Sequence, residues 1–297
     1  MRLPNGDMSM TPPAHEPINL PRYLARIGYD GPVVPTLDVL RALQAAHLAA
    51  IPFEALDVLT GKGIDLDAAA VDAKLIDAGR GGYCFEQNGL FLRVLTAIGF
   101  DAVGLLARVR WMLPADAPLA ARTHQLSCAT IDGTAWLVDV GFGAMAPATP
   151  LALDREGAQP TAHEPCRVVA LDGAWLVEAK MGGDWTPLYL VDPVPPPPVD
   201  YVVGNWYTST HPSSHFRQML VAARTTAEAR YALRDNRLTV RCTDGRVEQS
   251  YLTADAIETA LAEIFLLPVS RDWRPAIERA AAIEVPAEVV AEFGSER

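Results

Sequence analysis

The chain has 297 residues, half of them hydrophobic, with a formal net charge of -11, enough to bury a substantial core in two or three compact units. The acidic balance, with lysine only at Lys62, Lys74 and Lys180 and arginines scattered along the chain, argues against a nucleic-acid partner, but a small anionic ligand stays open because a few N–H groups can hold a phosphate. No apolar run approaches the roughly 20 residues of a membrane span, and the start, MRLPNGDMSMTPPAHEP, lacks a signal-peptide pattern, so a soluble cytoplasmic protein with a flexible segment at 1–16 is expected.

The first hundred residues read as mainly helical. Pro35-Thr36 opens a helix with Leu37, Leu40, Leu43 and Leu48 on one side, and Pro52 stops it. A second helix is expected to start at or near Cys84, with Phe91, Val94, Leu95 and Ile98 on one face and Gly99 closing it. Beyond Phe100 the pattern changes to strands punctuated by Asp132-Gly133, Asp172-Gly173 and Asp244-Gly245, each a hairpin signal. The tract DPVPPPPVD at 192–200 reads as an extended connector that continues neither sheet nor helix. Asp255 and Glu258 then read as a capping pair for a helix carrying Ile257, Ala260, Leu261, Ile264 and Phe265.

Four cysteines, Cys84, Cys128, Cys166 and Cys242, are too widely spaced for a zinc ribbon and too few for a disulfide scaffold; reduced thiols are expected. Cys84 stands apart in RGGYCFEQN (80–88), because two glycines allow close backbone approach and a helix amino terminus stabilises a thiolate and offers N–H donors to an oxyanion.

A second clue lies in THQLSCATIDGTAWLVDVGFG, 123–143. If Asp132 and Gly133 form a two-residue turn, Ile131 faces Thr134 and paired residue numbers sum to 265, which sets Asp139 opposite Leu126. His124 is then on the same face as Asp139, a diagonal step of roughly 7 Å away, and a three-residue turn would put them on opposite faces. An aspartate against one imidazole nitrogen fixes the tautomer and makes the other a base. Taken singly, each residue is also explained by packing or ordinary hydrogen bonding, and spacing alone leaves open whether the Cys84 helix meets the hairpin face.

The ordered segments LPRYLARIGYDGP (20–32), IPFEALDVLTGK (51–62), RGGYCFEQN, and THQL with WLVDVGFG (123–126 and 136–143), with NWYTSTHPSSHF (205–216) as a weaker fifth, resemble the bacterial arylamine N-acetyltransferases. The resemblance implies an α+β fold with an N-terminal helical bundle (17–99), a central β-barrel-like part (100–200) and a C-terminal α/β lid (201–297), carrying a papain-like triad of Cys84 as nucleophile, His124 as base and Asp139 as orienting acid. It implies acetyl-CoA as donor, no metal, and an arylamine or aryl hydrazine as acceptor in a ping-pong reaction. Phe53, Val109 and Phe142 match acceptor-cleft positions, Thr123 and Gly143 match positions near the CoA pantetheine, and Arg80 and Glu54 match a scaffold pair. The chain departs from the family pattern at Ala55, where Asn is usual, and at Gln87, where His is common and the change is expected to matter little.

His47 is read as a helix-face residue, and His211 with His215 as loop residues rather than a metal site, since Pro212 breaks the helix their spacing would need. A cysteine hydrolase or transglutaminase-like enzyme, an amide synthase with an acyl-carrier donor, and a non-catalytic binding module are the alternatives.

Overall fold

The computed structural model describes residues 17–114 and 116–284; the expected flexible start at 1–16 lies outside them. Helix α1 (Leu20–Ile27) is capped by the Asn19 side chain and closed by Gly28 at φ 66°. Helix α2 (Leu37–Ala50) is capped by Thr36 and buries Leu40, Leu43 and Leu48. The short strand β1 (Phe53–Glu54) and the helices α3 (Leu56–Leu59) and α4 (Ala68–Asp72) follow, and α4 runs into a π-helical turn, Ala73–Asp77. Helix α5 (Cys84–Ile98) ends at Gly99 with φ 99°, a left-handed cap. Its Phe91, Val94 and Leu95 share a core with Leu40, Leu43 and the strand residues Ala129, Ile131 and Val138.

Strands β2 (Asp101–Val109), β3 (His124–Ile131), β4 (Thr134–Val138), β5 (Leu151–Ala152), β6 (Cys166–Leu171), β7 (Ala174–Met181) and β8 (Asp184–Val191) form one antiparallel sheet in the order β5-β4-β3-β2-β8-β7-β6. The sheet is a nearly closed barrel, and Gln159 makes the seam. Its backbone pairs with Cys166 in both directions (2.7 and 3.0 Å), while its side-chain amide pairs with the N–H and C=O of Ala152 (2.8 and 2.7 Å). The amide thus stands in for a missing strand between the β5 and β6 edges. Leu105, Leu126, Val177, Leu188 and Tyr189 fill the interior.

Helix α6 (Pro198–Thr210) leads to a second antiparallel sheet, β1-β9-β10-β11-β12, built from β9 (Val221–Thr225), β10 (Ala229–Arg234), β11 (Arg237–Cys242) and β12 (Val247–Tyr251). Helices α7 (Ala254–Glu263) and α8 (Arg274–Ala281) cover it through Ile257, Leu261 and Ile277, joined by Phe265 from the segment between them. Among the described residues no helix is long and apolar enough to cross a membrane.

Several local expectations are corrected. The proline tract is not extended throughout: Pro198 starts α6, where a missing N–H costs nothing, so α6 runs across the 200/201 division. Thr253, not Asp255, caps α7 through the Ala256 N–H; Asp255 and Glu258 instead meet Arg274 at 2.7 and 3.2 Å. Asp132-Gly133 and Asp172-Gly173 form two-residue turns with both φ values positive, but Asp244-Gly245 sits in a three-residue loop, because Cys242 pairs with Arg246. Asp235-Asn236 and Gly182-Gly183 make further two-residue hairpins that the Asp-Gly pattern misses.

Candidate active site

The turn before α5 is built by close approach. A Cβ at Gly81 would lie 2.1 Å from the Pro52 carbonyl oxygen, which leaves room for glycine alone, and one at Gly82 would lie 2.8 Å from Glu86 Oε2 and displace that side chain. The space this saves is used by Glu86, which accepts the Tyr83 N–H at 3.0 Å, and by Gln87, which donates to the Pro52 and Gly82 carbonyls at 2.8 and 3.2 Å. Cys84 is thereby set in the first helical turn, 4% exposed, where the leading N–H groups lack intrahelical acceptors.

On the barrel side, the observed β3–β4 pairing runs from Ile131↔Thr134 to Ser127↔Val138, the 265 register. His124 Nε2 donates to Asp139 Oδ2 at 2.7 Å. The other Asp139 oxygen accepts from Asn88 Nδ2 at 3.0 Å and from Gly141 N–H at 2.8 Å. His124 Nδ1 is left for Cys84, which favours the charged form of the ring and whose Sγ lies 3.6 Å from the Thr123 carbonyl oxygen. Burial alone would lower His124, but the charge and hydrogen bond of Asp139, helped by Cys84, raise it to about 10. Burial alone would raise Asp139, but His124, Asn88 and the Gly141 N–H outweigh it and hold the carboxyl below its usual range. The result is a buried imidazolium–carboxylate pair with its free N–H facing a thiol.

Two residues absent from the sequence reading complete the site, and the first of them joins its halves. Asn88, one turn after Cys84 on the same helix face, donates to Asp139 and to the Gln125 carbonyl (2.6 Å) and accepts the Val140 N–H (3.0 Å). Tyr189 packs its ring 4.9 Å from His124. The i, i+4 spacing of Cys84 and Asn88 was the available signal for the first; Tyr189 had none.

The other predicted positions fall around this centre. Phe142 packs edge-on against His124 (4.8 Å) and Tyr189 (4.7 Å). Phe53 is half-buried, 5.9 Å from the Phe216 ring. Gly143 has φ 58°, and a Cβ there would be 3.7 Å from Phe53. Val109 ends β2 opposite Tyr189. Arg80 grips Glu54 through Nε and Nη2 at 3.0 and 2.6 Å. The departure at Ala55 is compensated, since Glu54 Oε2 accepts the Leu56 N–H at 2.7 Å, the donor left open at the start of α3. Gln87 matters more than expected, because it also accepts from His47 Nε2 at 2.6 Å. His47 is on the buried face of its helix, between Gln87 and the Tyr23 hydroxyl (2.8 Å), and burial pushes it down to about 4. Burial drives the thiols of Cys128 and Cys166 up to about 11 and about 12, so both stay protonated. His211 stacks on Tyr207 while His215 packs on Phe216. Among the described residues no group of three or more His, Cys, Asp and Glu side chains is arranged to hold a metal.

This architecture is shared with acyltransferases: the family model described as N-acetyltransferase matches residues 36–274. The arylamine N-acetyltransferase of Mycolicibacterium smegmatis is 45% identical over 226 residues, 75% of this chain and 82% of that one. A solved structure of the M. smegmatis enzyme superposes with a TM-score of 0.85 at 40% identity, covering 90% of this chain and 100% of the other. The structure of the Mycobacterium marinum arylamine N-acetyltransferase in complex with CoA gives a TM-score of 0.84 at 41% identity, covering 89% and 98%. The chain belongs to the arylamine N-acetyltransferase family, acyltransferases whose acetyl donor is acetyl-CoA.

Proposed function

We propose that this protein acetylates aromatic amines and aryl hydrazines in two steps through an acetyl-Cys84 intermediate. The observation that carries the reading is the Cys84–His124–Asp139 chain, with the thiol at a helix amino terminus and His124 held by Asp139 at 2.7 Å. Cys84, as thiolate, attacks the thioester carbonyl carbon of acetyl-CoA, and the oxyanion is met by N–H groups at the start of α5. The carbon–sulfur bond to CoA breaks, and the His124 Nδ1 proton goes to the departing thiolate. The acceptor nitrogen then attacks acetyl-Cys84, neutral His124 takes its proton, and Cys84 is released. Asp139 stays ionised and keeps Nε2 protonated throughout.

In this reading Phe53, Phe142 and Val109 form apolar walls for the acceptor ring, and Thr123 and Gly143 lie along the pantetheine. A glycine with φ 58° beside Phe53 leaves room for a chain to pass. The test is intact-protein mass spectrometry with acetyl-CoA and no acceptor, then peptide mapping, then addition of an aryl amine or hydrazine. One acetyl group on Cys84 that the acceptor removes, absent in Cys84→Ala, is the expected result. An unmodified Cys84 with CoA unreleased overturns it.

A further inference from the structure

Next to the turn that carries Cys84 lies a chain of buried charges. Lys74 Nζ is 2.7 Å from Glu86 Oε1 and 2.8 Å from Asp57 Oδ2; Arg80 Nη2 is 3.2 Å from the same Asp57 oxygen and 2.6 Å from Glu54 Oε1. The guanidinium of Arg80 also stacks over Trp273 at 4.7 Å. Three carboxyl groups thus share two cations. The member closest in sequence to the thiol is Glu86, two residues after Cys84 and 2% exposed, whose second oxygen holds the Tyr83 N–H.

This placement raises a conflict. A carboxylate in the first turn of α5 is favourable for the helix, yet it competes with a Cys84 thiolate for the same positive end. The conflict is relieved by Lys74, which reaches Glu86 from the π-helical turn Ala73–Asp77. A π turn is a costly local form that concentrates at functional positions, and here it carries the lysine that faces Glu86 and Asp57.

We infer that Lys74 and Glu86 are positioning residues that set the ionisation of Cys84, with Glu86 opposing the thiolate while its hydrogen bond holds the turn, and Lys74 cancelling that opposition. The inference rests on Cys84 being the nucleophile. The groups facing the pair are Asp57 from α3, Glu54 from β1 and Arg80 from the loop before α5; Cys84 acts on His124 and, together with Glu86, on Tyr83. Consistent with a surplus of one carboxylate, burial outweighs Lys74 and raises Glu86 to about 7.

The two residues pull in opposite directions, which separates this role from a purely structural one. Lys74→Met leaves the negative charges uncancelled and moves the pH profile of Cys84 alkylation upward. Glu86→Gln keeps an acceptor oxygen for Tyr83 and moves the profile downward. Each shift is of order half to one pH unit for charges interacting through a protein interior. The measurement is the rate of iodoacetamide modification of Cys84 against pH, read by peptide mass spectrometry on the full chain, with thermal melting to verify folding. Lys74→Gln stands in if Lys74→Met does not fold, and the charge-conserving Lys74→Arg keeps the wild-type profile. Shifts of the same sign, or none in the folded charge-removing variants, overturn the inference. Alkylation reports the thiol whether or not acetyl-CoA modifies it. Opposite shifts at a Cys84 that acetyl-CoA leaves unmodified would therefore refute the acetyl-enzyme reading while sustaining the electrostatic one.

Discussion

Replacing Asp139 by asparagine removes one charge and alters no shape, so its consequence is set by hydrogen-bond donors and acceptors. The Oδ1 position receives two donors, Asn88 Nδ2 at 3.0 Å and the Gly141 N–H at 2.8 Å. An asparagine must put its oxygen there, because its NH2 would face both donors. The NH2 then points at His124 Nε2, which has to become an acceptor. Neutral His124 carries its proton on Nδ1, toward Cys84, and cannot take one from thiol or acceptor amine. The charge is lost as well: without Asp139 the ring loses the attraction that raises it from 6.5 to about 10, a difference of ~5 kcal/mol and about 3,000-fold in the imidazolium-to-imidazole ratio. The two effects together place the loss at about 10³ to 10⁴ in acetyl-enzyme formation. A quenched single-turnover reaction with acetyl-CoA at neutral pH, followed by intact mass, measures it, and near-UV circular dichroism checks the fold, which retains both donors' partner. An Asp139→Asn enzyme that forms acetyl-Cys84 within tenfold of the wild-type rate refutes the tautomer argument.

Buried His47 titrates near 4 in the folded protein against 6.5 unfolded. Its depressed value contributes stability that is present above pH 6.5 and lost as pH falls toward 4, about 3 kcal/mol in all. His124 has the opposite sign, its contribution complete below 6.5 and lost as pH rises toward 10. Urea unfolding at a series of acidic pH values should therefore show a shallower loss of stability for His47→Gln than for wild type; parallel curves would contradict the burial argument. Gly141→Ala puts a Cβ 2.6 Å from Asn88 Nδ2 and 2.7 Å from Cys84 Cα, so the helix or the loop must shift, at a cost of about 1–3 kcal/mol. Thermal melting should register that cost and acetyl-enzyme formation should slow with it; an unchanged melting temperature would show that the loop yields freely. Gln159→Ala leaves the Ala152 N–H and C=O unpaired in the barrel seam, about 1–3 kcal/mol, and hydrogen exchange should speed at the Ala152 and Cys166 amides, while unaltered exchange would mean another group closes the seam.

The features legible in the sequence are those whose physics is local. The face shared by His124 and Asp139 could be calculated because a two-residue Asp-Gly turn needs positive φ at both positions, here 51° and 80°, and fixes every pair that follows. The same dipeptide at 244–245 gives a different loop for an equally local reason: Asp244 turns back on the Arg246 N–H at 3.0 Å and guanidinium at 2.8 Å, and this side-chain turn draws Thr243 out of the strand. The approach of Cys84 to the hairpin was not legible, since no periodicity encodes it. It depends on Asn88, a buried polar side chain with partners on β3 and in the segment that follows β4, whose value exists only after β3 and α5 have met. Glu86 makes the same point. In sequence it is an ordinary third-position cap for a helix starting at Cys84, a purely local device. Its charge becomes part of the site only because Lys74, twelve residues earlier, reaches it from a π turn. Helix-capping rules therefore account for the shape of the turn that carries Cys84, whereas its electrostatics are decided by contacts that only the assembled fold brings together.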